Sequence, residues 1–391
     1  MAAPHIVVVG AGVFGLTAAI ELVLRGSDVT LVDPGPIPHP LAESTDISKA
    51  VRMDYGKDEL YAAEMEIALD GWRAWNARWT APLFHEAGVT YLCRSPMRPG
   101  GFEHDSYEVL RRRGHHPERL DSRAIKARFP AWNSELYVDG YYNAEGGYAE
   151  SGKVISALAR DALAGGVTLV EGFRFARLLE HASRVVGIAD VSGAEIRADR
   201  VVVAAGGWTP YLLPHLAPHL RTVGQPVFHL APRDVALFSP ERFPTFGADI
   251  AETGYYGFPA NAQGIVKVAN HGPGRAMTPD DARTVTRSEE EGLREFLRVT
   301  FPLLADAPLA GTRVCVYCDT RDEHFLIAPD PEFRGLIVAT GGSGHAFKFA
   351  PRLGKWIADA VEGAPNPVRE RFRWRPDLPT ARGEEAARHR G

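Results

Sequence analysis

The chain opens on an unbroken apolar run. His5–Val9 reads HIVVV, β-branched and without polar alternation, the pattern of a strand buried on both faces of a parallel sheet. Over residues 13–25 the period changes, and Leu16, Ala19, Ile20 and Val23 fall on one helical face, with Gly26 placed to end the helix. Residues 28–32 (DVTLV) form a second strand, closed by the turn signal Asp33-Pro34-Gly35. A longer helix is predicted over 59–79, where Trp72, Trp75 and Trp79 share a face. A stripe of that spacing packs into a core.

The same alternation returns twice. Residues 151–163 read as a helix, 167–170 (VTLV) as a strand, and 200–204 (RVVVA) as a strand leading into AGGW. Near the end, 335–340 (GLIVAT) is a buried strand that runs into GGSGHAFKFAP and a helix over 351–361. Between these pieces, 80–142 has mixed periodicity with many turns, and 221–317 favours strands such as GIVKVANH. β/α pieces at the start, middle and end, separated by strand-rich insertions, predict an α/β fold in two domains. A discontinuous Rossmann-like nucleotide-binding domain takes 1–83, 146–220 and 320–391. A substrate domain with a mixed or antiparallel sheet takes 84–145 and 221–319.

The first turn carries the clearest chemistry. Gly10-x-Gly12-x-x-Gly15 lies between strand and helix, where a tight turn, close backbone approach to a pyrophosphate and close strand–helix packing each need glycine. The helix N-terminus presents free N–H groups to the phosphates. Asp33 ends the second strand at the spacing that bonds a ribose 2′-hydroxyl and repels a 2′-phosphate. This fingerprint reads only the ADP half of a dinucleotide. VVVAAGG at 201–207 and the second glycine-rich strand-to-helix turn at 339–351 favour the longer FAD over NAD.

Composition narrows the classes. A net charge of −5 argues against a nucleic-acid binder, and 45% apolar residues argue against domain-scale disorder. Three cysteines, Cys93, Cys315 and Cys318, fit a reducing compartment better than a disulfide framework. No run is long enough to span a bilayer and no secretory signal is apparent, so the cytoplasm is expected. From Arg369 onward the chain is arginine-rich and reads as a solvated, partly mobile tail.

Four blocks in order resemble one family: VVVGAGVFG, STDISKAVRMDYG at 44–56, YYGFP with GIVKVANHG at 255–272, and VCVYCDTRDEHFLIAPDP with ATGGSGHAFKFAP at 314–351. Nearly the whole chain resembles the monomeric sarcosine oxidase and fructosyl amino acid oxidase group, within the glycine oxidase and D-amino acid oxidase superfamily. That resemblance implies an FAD-dependent amine oxidase acting on the C–N bond of a secondary amine or N-substituted amino acid. The imine product hydrolyses, and O2 is reduced to hydrogen peroxide. Partners are then a small-molecule amine and O2, with no nucleic acid and no membrane, in a monomer or small homo-oligomer.

The resemblance also distributes roles. Cys315 stands where the family tethers its flavin. Arg52 and Lys348 stand where it holds the substrate carboxylate, which suits a planar guanidinium fork. Lys267 matches the oxygen-activating lysine, a fixed cation for charge developing on O2. Tyr255 and His271 fall in the substrate pocket. Phe14, Ser44, Ser48, Lys49, Val170, Gly342, Gly344 and Lys348 join Gly10, Gly12, Gly15 and Asp33 around the cofactor. Taken bare, Cys315 reads as an inert strand residue and Arg52 as a surface ion-pair partner; a lysine at 267 inside an apolar strand needs a partner or a role, with snorkelling from an edge strand as the alternative, and His271 reads equally as a structural or a catalytic histidine. Cys318 reads as structural. Lys49 departs from the arginine of the sarcosine and N-methyltryptophan enzymes and resembles the fructosyl amino acid oxidases. Three other readings stay open: a flavin dehydrogenase with another acceptor, an NAD-dependent dehydrogenase, and a non-catalytic flavin-binding subunit.

Overall fold

A computed structural model of the chain describes residues 3–375. The first apolar run is β1 (His5–Val9), the glycine turn leads into α1 (Val13–Leu24), and β2 (Asp28–Asp33) follows. β1 pairs in parallel with β2 on one side and with Arg200–Val203 on the other. These strands belong to a six-stranded sheet in the order Leu326–Pro329, Leu336–Thr340, Arg200–Val203, β1, β2, Thr168–Glu171. The chain leaves β1 toward β2 and later returns on its other side, so the sheet's switch point falls at the end of β1, beside the glycine turn.

Side-chain alternation divides β1 between two cores. Ile6 and Val8 pack with α1, Ser151–Ala164 and Ala350–Glu362, while Val7 and Val9 pack against the small sheet that includes Phe175–His181 and Arg184–Asp190. α1 crosses Ala350–Glu362 closely: a Cβ on Gly354 would lie 2.3 Å from the Thr17 carbonyl oxygen. α2 (Glu59–Arg78) carries the tryptophan stripe inward. Trp72 is buried, its ring 5.2 Å from Trp75, and Trp75 sits 5.4 Å from Trp79.

A nine-stranded mixed sheet forms the second body. Its longest members, Leu220–Leu230 and Leu309–Thr320, pair antiparallel along their length. Val266–Asn270 and Tyr255–Phe258 extend it, and Val89–Cys93 runs parallel to Thr245–Ala248. Behind it Phe246, Phe301, Trp132 and Phe243 form an aromatic core with the helix Arg287–Thr300. The strand-favouring reading of 221–317 missed this helix. Its signal was present: Thr286 and Glu289 make a capping box ahead of Leu293, Phe296 and Leu297.

The arginine-rich stretch also corrects an expectation. Residues 369–375 pack on the body rather than trailing into solvent. Phe372 is buried, Arg371 pairs with Asp58, and Arg375 pairs with Asp322 at 2.7 Å. The remaining residues of that stretch, 376–391, lie outside the described residues. Among the described residues no helix is long and apolar enough to cross a membrane.

The α1 crossing sets a prediction. Gly354→Ala is expected to destabilise the protein by about 1–3 kcal/mol through overpacking, read as a lower melting temperature. An unchanged melting temperature would show that the two helices can move apart at no cost.

Candidate active site

Two cavities meet at the carboxyl end of the six-stranded sheet. The larger, about 430 Å³, is lined by Gly10, Gly12, Phe14, Asp33, Ser44, Lys49, Gly342 and Gly344 among others. The smaller, about 60 Å³, is lined by Lys49, Arg52, Tyr256, His271, Tyr317, Gly344, Phe347 and Lys348 among others. Lys49, Gly344 and Phe347 line both.

The glycines are sterically forced. Gly10 adopts φ +103°, and a Cβ on it would lie 2.6 Å from the Ala204 carbonyl oxygen. A Cβ on Gly15 would lie 1.8 Å from the Gly10 carbonyl oxygen, so Gly15 sits under the turn as a packing residue. Asp33 accepts hydrogen bonds from the Ala11 N–H at 2.8 Å and the Gly35 N–H at 3.1 Å, which brings its carboxylate to the turn. Burial raises its pKa, and those two N–H groups pull the other way. Ser44 Oγ accepts from the Val13 N–H at 3.0 Å, so a distant loop covers the start of α1.

The short strand Lys49–Val51 was not read from the sequence. It pairs antiparallel with Gly147–Ala149 and delivers Lys49 and Arg52 to the smaller cavity. Arg52 is buried, with its guanidinium carbon 5.2 Å from the Tyr55 ring centroid, 5.8 Å from Tyr91 and 5.6 Å from Phe102. It donates to the Asp54 carbonyl. The Asp54 carboxyl is fully buried; burial raises its pKa, and the Arg52 charge works against that rise. Lys348 Nζ lies 3.1 Å from the Tyr55 hydroxyl, and the Lys348 carbonyl accepts from Trp72 Nε1 at 2.7 Å. The tryptophan stripe therefore reaches the site through its buried member.

Lys267 is 1% exposed in the interior of the nine-stranded sheet, which excludes the snorkelling alternative. Its Nζ donates to Asp46 Oδ2 at 2.6 Å and to the Ser48 carbonyl at 2.6 Å, and lies 4.7 Å from the Phe258 ring centroid. Asp46 also meets His229 Nε2 at 3.2 Å. Burial lowers the Lys267 pKa to about 8, with the Asp46 charge opposing the fall. Asp46 is held well below the usual carboxylate range: burial pushes it up, and the charge of Lys267 with the His229 bond outweighs that. Lys49 Nζ lies 3.7 Å from Cys315 Sγ. Burial favours the neutral Lys49 amine, but neighbouring Cys315, Glu43 and Asp46 hold it above its ordinary value. Cys315 is buried and lines neither cavity, while its neighbour Lys49 lines both. Cys318 is buried beside Thr340 Oγ1 at 3.4 Å.

Three expected positions stand elsewhere. Tyr255 stacks on Phe296 at 4.0 Å, turned away from the pocket, because strand alternation gives Tyr256 and Phe258 the pocket face. Val170 pairs with Val32 inside the six-stranded sheet and does not line the larger cavity. Ser48 contributes its carbonyl to Lys267 rather than a cavity wall. His39, Glu43, Arg174 and Trp208 line the larger cavity without having been singled out. The first three come from loops with no periodic signal, and Trp208 ends a single helical turn at Gly206–Trp208.

A glycine turn at the switch point and an acid at the end of β2 line one cavity, and the whole chain can be compared on that basis. The family model described as DAO, FAD dependent oxidoreductase, matches residues 5–360. The chain belongs to this family. L-saccharopine oxidase of Schizosaccharomyces pombe is 29% identical over 417 residues, spanning 95% of this chain and 93% of that protein. Monomeric sarcosine oxidase of Bacillus sp. strain NS-129 is 27% identical, spanning 90% and 91%. Fructosamine oxidase of Aspergillus fumigatus (Amadoriase II), solved in complex with FSA, superposes with a TM-score of 0.83 at 26% identity, covering 96% of this chain and 91% of that one. The expected family and two-domain α/β class therefore hold.

The buried Lys267–Asp46 pair yields a stability prediction. Asp46→Leu strands the ammonium and is expected to cost about 3–5 kcal/mol, read by thermal unfolding. The double variant Asp46→Leu with Lys267→Met should recover much of that loss. Equal destabilisation in single and double variants would count against the pair.

Proposed function

We propose that this chain is an FAD-dependent oxidase of N-substituted amino acids, using O2 as acceptor. The observation that carries the reading is the set of buried basic side chains around the junction of the two cavities. Arg52 and Lys348 line the smaller one, and Lys267 stands behind its Phe258 wall. The relatives named above are by name oxidases of saccharopine and of sarcosine, both N-substituted amino acids, which supports the same chemistry here.

The larger cavity suits FAD. Gly10 and Gly12 leave the turn bare beside the α1 N-terminus, and Asp33 stands at the end of β2. Gly342 and Gly344 line it from the opposite loop, and Phe14 lines it from the first turn of α1. On this reading 1–83, 146–220 and 320–391 form the cofactor body, and 84–145 and 221–319 form the substrate body. Cys315 is the proposed tether, supported by Lys49 beside its sulfur. Bound there, FAD supplies the two-electron acceptor that takes the amine to an imine and returns the electrons to O2 as peroxide.

The residues of the chain then divide the work. Arg52 and Lys348 bind the substrate carboxylate, the first as a planar fork and the second as a point charge. Tyr256, Tyr317 and Phe258 wall the pocket and exclude water. Lys267, fixed by Asp46 and the Ser48 carbonyl, holds an ammonium where negative charge develops on O2. That charge is present below about pH 8 and lost above it.

Four outcomes test the reading. Anaerobic bleaching of the purified yellow protein should occur with at least one secondary amino acid, and air should then yield peroxide; bleaching without peroxide would indicate another acceptor. Lys267→Met should slow reoxidation by about 10²–10³-fold, as loss of one charge-stabilising group does, while leaving reduction intact in stopped-flow traces. In the parent protein, reoxidation should slow as pH rises through about 8. Acid precipitation should carry flavin down with the protein, and Cys315→Ser should abolish that.

A further inference from the structure

One residue holds Lys348 twice. Lys348 Nζ donates to the His345 carbonyl at 3.0 Å and to the Tyr55 hydroxyl at 3.1 Å, and that hydroxyl lies 2.9 Å from His345 Nδ1. The direction of this chain follows from its far end. His345 Nε2 lies 2.9 Å from the Glu323 carbonyl, which can only accept, so Nε2 carries the proton. Burial and the Lys348 charge hold His345 well below the usual histidine range. The ring is therefore neutral and Nδ1 accepts. The Tyr55 O–H points at Nδ1, which turns its lone pairs toward Lys348.

Glu323 sits in left-handed backbone, φ +59°, so its carbonyl direction depends on what pins the turn. Arg375 pins it. Its guanidinium forks onto Asp322 at 2.7 and 2.9 Å and also donates to the His324 carbonyl at 3.1 Å and the Phe325 carbonyl at 3.2 Å. The Arg375 side chain is 8% exposed, so these bonds are shielded from water. The same stretch grips the site a second time. Arg371 lies 5.3 Å from the Tyr61 ring centroid and pairs with Asp58, and the Tyr61 hydroxyl is 3.2 Å from His324 Nδ1. Phe372 wedges between Phe325 at 5.0 Å and Trp356 at 5.3 Å.

We propose that residues 369–375 are a strap that positions the carboxylate-binding lysine. Arg375 fixes the 322–325 turn, the Glu323 carbonyl fixes the His345 ring, and His345 fixes Lys348 through Tyr55 and through its own carbonyl. Arg375 does not line the pocket and acts as a positioning residue. The inference rests on the reading that Lys348 binds the substrate carboxylate.

The test uses flavin-loaded full-length protein titrated with acetate, following the flavin absorbance, alongside steady-state kinetics on an oxidised secondary amino acid. In Arg375→Gln the acetate dissociation constant and KM should both rise about five- to tenfold, the effect of one or two lost hydrogen bonds, with kcat and bound flavin unchanged. Arg375→Lys keeps the charge but not the fork and should recover part of the loss. Arg373→Gln, altered at a side chain 61% exposed in the same stretch, should behave as the parent. Tyr55→Phe cuts the chain of bonds without touching the strap and should reproduce the rise, even if Arg375→Gln fails to fold. Parental acetate affinity and KM in Tyr55→Phe, or in folded Arg375→Gln, overturn the strap alone. A parent protein that binds no carboxylate and bleaches with no amino acid overturns both readings together.

Discussion

Burying positive charge is the constraint on which the site depends. A lysine or arginine taken from water costs several kcal/mol unless a partner answers it. Here each buried cation has its own set of partners. Lys267 has Asp46 and the Ser48 carbonyl, Arg52 has the Asp54 backbone and three aromatic faces, and Lys348 has Tyr55 and the His345 carbonyl. The loop and short strand over residues 42–56 supply most of these partners. That explains why a segment with little regular structure is so closely held.

The nucleotide half of the fold was legible because local pattern decided it. β1, α1 and β2 are specified by apolar runs and glycines within thirty-odd residues, and steric contact at Gly10 and Gly15 leaves no other side chain room. The site was legible only in part. Arg52, Lys348 and His271 reach the pocket as expected, but the choice of Tyr255 over Tyr256 was off by one residue. A strand faces its pocket on alternate residues, so such a slip reverses the side chain.

What remained hidden was long-range. Nothing local ties Asp46 to Lys267 or Arg375 to Asp322, since those pairs are separated by 221 and 53 residues. The arginine-rich stretch reads as solvated because its composition is polar. Only packing against Phe325 and Trp356 shows that Phe372 anchors it. The Arg287–Thr300 helix is a different failure: its capping box was in plain sight, but strand propensity on both sides outweighed it.

The wall shared by Lys49, Gly344 and Phe347 has an effect beyond shape. A molecule filling one chamber touches residues that also bound the other, which gives the two occupancies a physical route for thermodynamic linkage. Linkage is reciprocal: whatever factor the larger ligand contributes to affinity for the smaller, the smaller returns to retention of the larger.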